Sequence, residues 1–350
     1  MTSATRRPMP PDAAARGTAG TGHAACHHGE ILQGVFLDER RRPCHGLVTL
    51  PMTGRGSTAG FVHRPGSSPD EVTVTPDGRS KARTAAVLAM RECSARLGEE
   101  PCGGELTLTG GLPVGLGMGS STSDVIATVR AVADSWGLLL PPETIARLAV
   151  RAEGASDPLM HGSRPLLFAQ REGRVLEALG SALPPAVVVG CALGGSEPVD
   201  TLALPVLVQD GDLTAYEHLR RMLRRAVTDA DTALLGRVST ASARLRQGVL
   251  RHQEFPALTG IADSVGAVGV QIAHSGNVAG ILFDPRVPGL RRRLRRCARA
   301  LEREGIASTR TFTTFATPTS EEFPRGRTHL GSHRPTGPDT PRRLTRLPAV

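Results

Sequence analysis

The chain has 350 residues, 39% of them hydrophobic, with a formal charge of +9 at pH 7. That length allows two domains with buried cores, and no apolar run is long enough to span a membrane. The six cysteines, Cys26, Cys44, Cys93, Cys102, Cys191 and Cys297, form no CxxC pair, which excludes a disulfide-stapled scaffold and leaves reduced thiols.

In chain order, the first segment is rich in proline, alanine and arginine. It has no periodicity and no apolar signal-peptide core, so residues 1–21 read as a disordered leader of a cytoplasmic protein. Alternating or β-branched patterns predict strands over 31–37, 47–52 and 71–75. Apolar residues at near-helical spacing predict a helix over 82–97, which Gly98 ends. A strand over 105–109 runs into a glycine-rich loop, and helices follow at about 124–136 and 142–152. Pro184-Pro185 and a strand over 186–191 mark the entry to a second lobe. Helices over 213–225, 229–246 and 256–265 come next. A strand pair over 268–273 and 278–283, a helix over 290–303 and a strand over 307–315 complete the pattern. The end, 317–350, is basic and aperiodic and reads as disordered. Strands and helices mixed in both halves make the fold class α+β.

Arginine supplies all the positive side-chain charge except Lys81, and it clusters over 291–296 and in the tail. With one Trp and one Tyr there are few platforms for stacked bases. The clusters therefore read as a solvated helix face and a basic tail rather than a nucleic-acid footprint.

The loop is the strongest chemical signal. Five of the ten residues from Gly110 to Gly119 are glycine, and Ser120-Ser121-Thr122-Ser123 follows where a helix starts. Glycines let backbone N–H groups approach a bound group. A helix N-terminus favours negative charge, and serines there are expected to cap the free N–H groups. The segment therefore reads as a phosphate cradle. It is neither a P-loop, since no lysine follows its glycines, nor a GxGxxG fingerprint.

Elsewhere, Cys26, His27, His28, Cys44 and His45 supply enough ligands for zinc, but their spacing matches no common site. Neighbours in a strand also point to opposite faces, so few of them are expected to converge. Glu153 and Asp157 form a carboxylate pair just after a helix. On the residues alone, the pair also reads as a helix end and a cap on the turn before Pro158.

The run Pro113-x-Gly115-x-Gly117-Met118-Gly119-Ser120-Ser121 resembles the ATP loop of the GHMP kinases, with Met118 where the family has leucine. Cys26-His27-His28-Gly29-Glu30-Ile31-Leu32-Gln33-Gly34, with the strand ending at Pro51, is similar to the N-terminal signature of the bacterial L-threonine kinase branch. The stretch 266–280, with His274-Ser275-Gly276, resembles the family's third motif.

The resemblance implies a two-lobed fold, with a ribosomal-S5-like N-terminal lobe over 22–183 and a ferredoxin-like C-terminal lobe over 184–316. It implies that ATP is held by Pro113, Gly115, Gly117, Met118, Gly119, Ser120, Ser121 and Thr122, closed over by Ser275 and Gly276. Mg²⁺ would be held by Ser120 and Glu153. Asp157 would orient or deprotonate the acceptor hydroxyl, and Glu30 and Gln33 would face the substrate. Glu153 and Asp157 lie four apart where the branch has three, so Asp157 aligns well and Glu153 only approximately.

With no lysine in these motifs, neutralising the phosphates falls to Mg²⁺, loop amides or arginine. Glu30 then reads in two ways, as a partner for an acceptor ammonium or as a structural partner of an arginine. The implied activity is ATP-dependent phosphorylation of a small hydroxy-amino acid, foremost L-threonine, to the O-phospho-L-threonine of cobalamin side-chain synthesis. Homoserine or another small alcohol, or a non-catalytic nucleotide- or nucleic-acid-binding relative, are the alternatives. A monomer or homodimer with no membrane partner is expected.

Overall fold

The computed structural model describes residues 19–110, 119–194, 210–273 and 277–315. Pro113, Gly115, Gly117, Met118, Ser275, Gly276, the leader through residue 18 and the tail from 316 lie outside the described residues.

The first sheet is built on two long strands, β1 (Ala19–Leu37) and β2 (Pro43–Arg64), paired antiparallel along their length. Strands β3 (Val72–Thr75), β4 (Gly103–Gly110), β5 (Leu166–Ala169) and β6 (Arg174–Ala178) complete it. Their order is β3-β4-β2-β5-β6, with β1 beside β2 and only the β3–β4 pair parallel. Helices α1 (Ser80–Leu97), α2 (Ser120–Ser135) and α3 (Pro142–Glu153) cover one face. They bury Met90, Ile126, Val129 and Leu148 against Phe61 and Leu106.

The second sheet has the order β10-β7-β9-β8, from β7 (Val187–Ala192), β8 (Gly269–Ile272), β9 (Val278–Phe283) and β10 (Ala307–Thr313). Helices α6 (Phe255–Val265) and α7 (Leu290–Arg303) pack on it through Leu258, Val265, Leu294 and Leu301. A third apolar cluster joins the sheets. Leu32, Phe36 and Leu50 meet Leu282 and Phe312, together with Tyr216 and Leu223 of α4 (Asp210–Thr228) and Leu235 of α5 (Thr232–Leu250). Burial of apolar surface on this scale is the main force holding the lobes together.

Four expectations are corrected. Residues 19–21, expected to belong to a disordered leader, lie in β1, where Ala19, Gly20 and Thr21 pair with Val62, Phe61 and Gly60. Alanine, glycine and histidine are weak strand formers. This part of β1 is fixed by tertiary packing instead, since a Cβ on Gly22 would collide with the α2 backbone at Ala127. The β5–β6 hairpin was not expected; its strands are four and five residues long. Ser120–Ser123 do not cap α2: Gly119, left-handed at φ +66°, takes the N-cap place with no side-chain cap, and the hydroxyls turn elsewhere. Asp157 likewise precedes a short 3-10 turn, Pro158–His161, without capping it.

Candidate active site

The start of α2 is pinned from four directions. Ser123 donates its hydroxyl to the Ala24 carbonyl of β1 at 2.8 Å and accepts from the Ser57 N–H of β2 at 3.0 Å. Asp124 accepts from the Ser57 hydroxyl and, at 3.0 Å, from Arg79 just before α1. From the end of α3, Glu153 accepts from Ser121 at 3.2 Å and Thr122 at 2.9 Å. The first turn of α2 is therefore rigid, while its backbone N–H end carries no side-chain cap. This is the arrangement an anion needs at a helix N-terminus.

A second group of side chains gathers beside this turn. In β1 the pairing steps from His27 opposite Pro51 to Glu30 opposite Thr49, three residues against two. The extra residue is a bulge at Gly29, whose φ of +69° suits glycine. The bulge restores the alternation, so His27 and Glu30 face the same way. His27 is buried, with Nδ1 3.0 Å from the Gly29 carbonyl and Nε2 2.8 Å from Asp157 Oδ2. Polar atoms of His27, Glu30 and Asp157 all lie within 4.8 Å of one another. His27 also touches the phosphate side, since a Cβ on Gly119 would collide with its ring.

The electrostatics follow from this packing. Burial opposes charge on His27, but the Asp157 carboxylate and Glu30 outweigh it and push His27 up to about 9. Burial pushes Asp157 up, yet His27 and the Thr122 hydroxyl hold it below its ordinary value. Burial and the charge of Asp157 raise Glu153 to about 7, with Lys81 acting the other way. Lys81 thus lies within electrostatic reach of the carboxylates, in a segment the sequence left outside every motif.

The structure brings together most of the described candidates. Ser120, Ser121, Thr122, Glu153, Asp157, Glu30 and Gly119 converge on the start of α2 and its flank. Ser120 is buried in the first turn. Gln33 stands apart: its N–H donates to Ser242 at 3.2 Å, and no described contact joins it to the cluster. Sequence reasoning offered His27 only as a zinc candidate and missed its place beside Asp157 and Glu30. Among the described residues, the zinc candidates Cys26, His28, Cys44 and His45 do not gather into a ligand group. His28 points away from His27, toward Gln271 Oε1 at 3.1 Å and the Phe312 ring.

Glu153, bonded to Ser121 and Thr122, and Ser120 in the same turn supply oxygen donors of the kind that Mg²⁺, a hard cation, prefers. A buried carboxylate raised to about 7 is also one that a cation would keep ionised.

Residues 82–162, from α1 to the 3-10 turn, match the GHMP kinases N terminal domain. Over this segment the chain carries a GHMP kinases N terminal domain. The L-threonine kinase of Salmonella typhimurium is 25% identical over 276 residues, 75% of this chain and 81% of that protein. Among solved structures, the homoserine kinase from Cytophaga hutchinsonii superposes with a TM-score of 0.60 at 16% identity, covering 89% of this chain and 97% of its own. The phosphomevalonate kinase of Streptococcus pneumoniae gives 0.62 at 12% identity, over 84% and 98%. The fold is thus the two-lobed GHMP kinase fold, and the protein is a small-molecule kinase acting on an alcohol group. Its matched segment contains Ser120, Glu153 and Asp157. Among the described residues, no helix is long and apolar enough to cross a membrane.

Proposed function

We propose that this kinase transfers the γ-phosphoryl group of ATP to the hydroxyl of a small hydroxy-amino acid, with L-threonine the first acceptor and L-homoserine the second. The observation that carries this reading is the meeting of Asp157, Glu30 and His27 within 4.8 Å beside the uncapped start of α2. The start of α2 offers backbone N–H groups to phosphate oxygens. Asp157 accepts a hydrogen bond from the acceptor hydroxyl and aims its oxygen at the γ-phosphorus. The oxygen–phosphorus bond forms as the β,γ-bridging oxygen leaves with ADP, and the hydroxyl proton passes to Asp157. Phosphoryl transfer through a loose transition state asks for such positioning more than for a strong base. Ser120 and Glu153 would hold Mg²⁺, which when bound neutralises phosphate charge. Glu30, buried on β1 beside Asp157, suits the ammonium of an amino acid. The curated relative named above is an L-threonine kinase, which favours threonine.

The test is ADP release with L-threonine, L-homoserine, L-serine and 3-hydroxybutyrate as acceptors. The amine-bearing alcohols turn over and 3-hydroxybutyrate does not. Glu30→Gln raises KM for L-threonine more than KM for ATP. Equal turnover of 3-hydroxybutyrate would move the substrate class to plain hydroxy acids.

A further inference from the structure

His27 is buried and makes two hydrogen bonds of good length, and both partners are acceptors. The Gly29 oxygen is a carbonyl and can only accept, so Nδ1 carries a hydrogen. On the other side, Nε2 lies 2.8 Å from a carboxylate oxygen. A lone pair aimed at Asp157 Oδ2 across that distance would be repulsive, so a second proton lies between them.

We infer that His27 is a positioning residue for phosphoryl transfer, an imidazolium that fixes the Asp157 carboxylate and keeps it ionised beside the start of α2. This rests on the reading of Asp157 as the group that orients the hydroxyl. The consequence is geometric as well as electrostatic. Anchored at Gly29 by one nitrogen, the ring holds Asp157 with the other and abuts Gly119 with its edge. One side chain thereby sets the distance between the carboxylate and the end of the phosphate loop. A neutral ring cannot serve both acceptors, so loss of the proton frees either Asp157 or the anchor.

The charged groups around His27, among the described residues, agree with this state. Glu30 on β1 and Asp157 after α3 both favour the cation. His28, next along β1, is lowered to about 4, chiefly by burial, and stays neutral. Glu153 is raised toward neutrality by burial and by the charge of Asp157, with Lys81 acting the other way. The start of α2 opposes a cation through its dipole. The ion pair to Asp157 outweighs this, leaving His27 at about 9.

Two measurements test the inference. The ¹⁵N spectrum of the imidazoles in the full-length protein at pH 7.5 should show both nitrogens of His27 protonated; a neutral single tautomer would overturn it. The second is kcat against pH for the wild type, His27→Gln, His27→Lys and Asp157→Asn. The wild type should lose rate as pH rises through about 9. His27→Gln should lower kcat by about 10–100-fold, leave KM for ATP within about twofold and abolish the limb near 9. His27→Lys should recover part of the rate and move the limb upward. If His27→Gln keeps the wild-type rate and limb while Asp157→Asn is inactive, His27 is structural only and the inference fails while the reading of Asp157 stands. If Asp157→Asn keeps full activity, that reading itself is the one that fails.

Discussion

Thr122 donates its hydroxyl to Glu153 across 2.9 Å and so ties the first turn of α2 to the last residue of α3. The bond presents a buried carboxylate at the place where the phosphates are proposed to end. Glu153 is raised to about 7, mainly by burial. A raised carboxyl pKa means that the fold favours the protonated form. The stabilisation is complete below the unfolded value and disappears as pH rises through about 7. Glu153→Gln can still accept from Thr122, and it never charges. Without Mg²⁺ at pH 8 it should therefore melt several degrees above the wild type, with a flatter dependence of Tm on pH. Mg²⁺ should raise Tm of the wild type more than that of the variant. Equal Mg²⁺ effects in calorimetry would remove Glu153 from the metal site.

Gly119 combines a left-handed backbone, φ +66°, with contact to the His27 ring. Gly119→Ala adds strain of about 1–2 kcal/mol and pushes the ring off Asp157. The protein should stay folded by circular dichroism, while ATP affinity and kcat both fall by about tenfold or more. Unchanged nucleotide affinity by calorimetric titration would separate this turn from the phosphates.

The helices of this kinase were legible in the sequence because 3.6-residue periodicity survives single-chain reading, as in α1, α3 and α7. Gly119 and Asp157 were singled out through the family resemblance, and the structure sets both against His27; residues 111–118 of the glycine loop lie outside the described residues. The place of His27 beside them was not legible. Strand alternation sets neighbours on opposite faces, and it took the bulge at Gly29 to bring His27 and Glu30 to one side, a register shift that no pattern in the residues announces. The serines after Gly119 misled for a related reason. Ser and Thr at a helix start read as caps, but Glu153, 32 positions after Ser121, takes the Ser121 and Thr122 hydroxyls instead. The beginning of β1 escaped because its residues are small in order to fit against α2, not because they favour strands.

That fit gives a stability prediction. Gly22 faces the α2 backbone with no space for a side chain. Gly22→Val should destabilise the protein by about 1–3 kcal/mol or more by forcing β1 from α2. Denaturant unfolding checks this, and wild-type stability would mean that β1 packs less tightly than described.

The most direct test of the account is Asp157→Asn, measured by single-turnover transfer from ATP to L-threonine alongside ATP affinity. The amide keeps the shape of the side chain but cannot take the hydroxyl proton or form an ion pair with an imidazolium. The account predicts ATP binding close to that of the wild type and a transfer rate lower by about 10²–10⁴-fold. Transfer at the wild-type rate would contradict it and remove Asp157 from the chemistry.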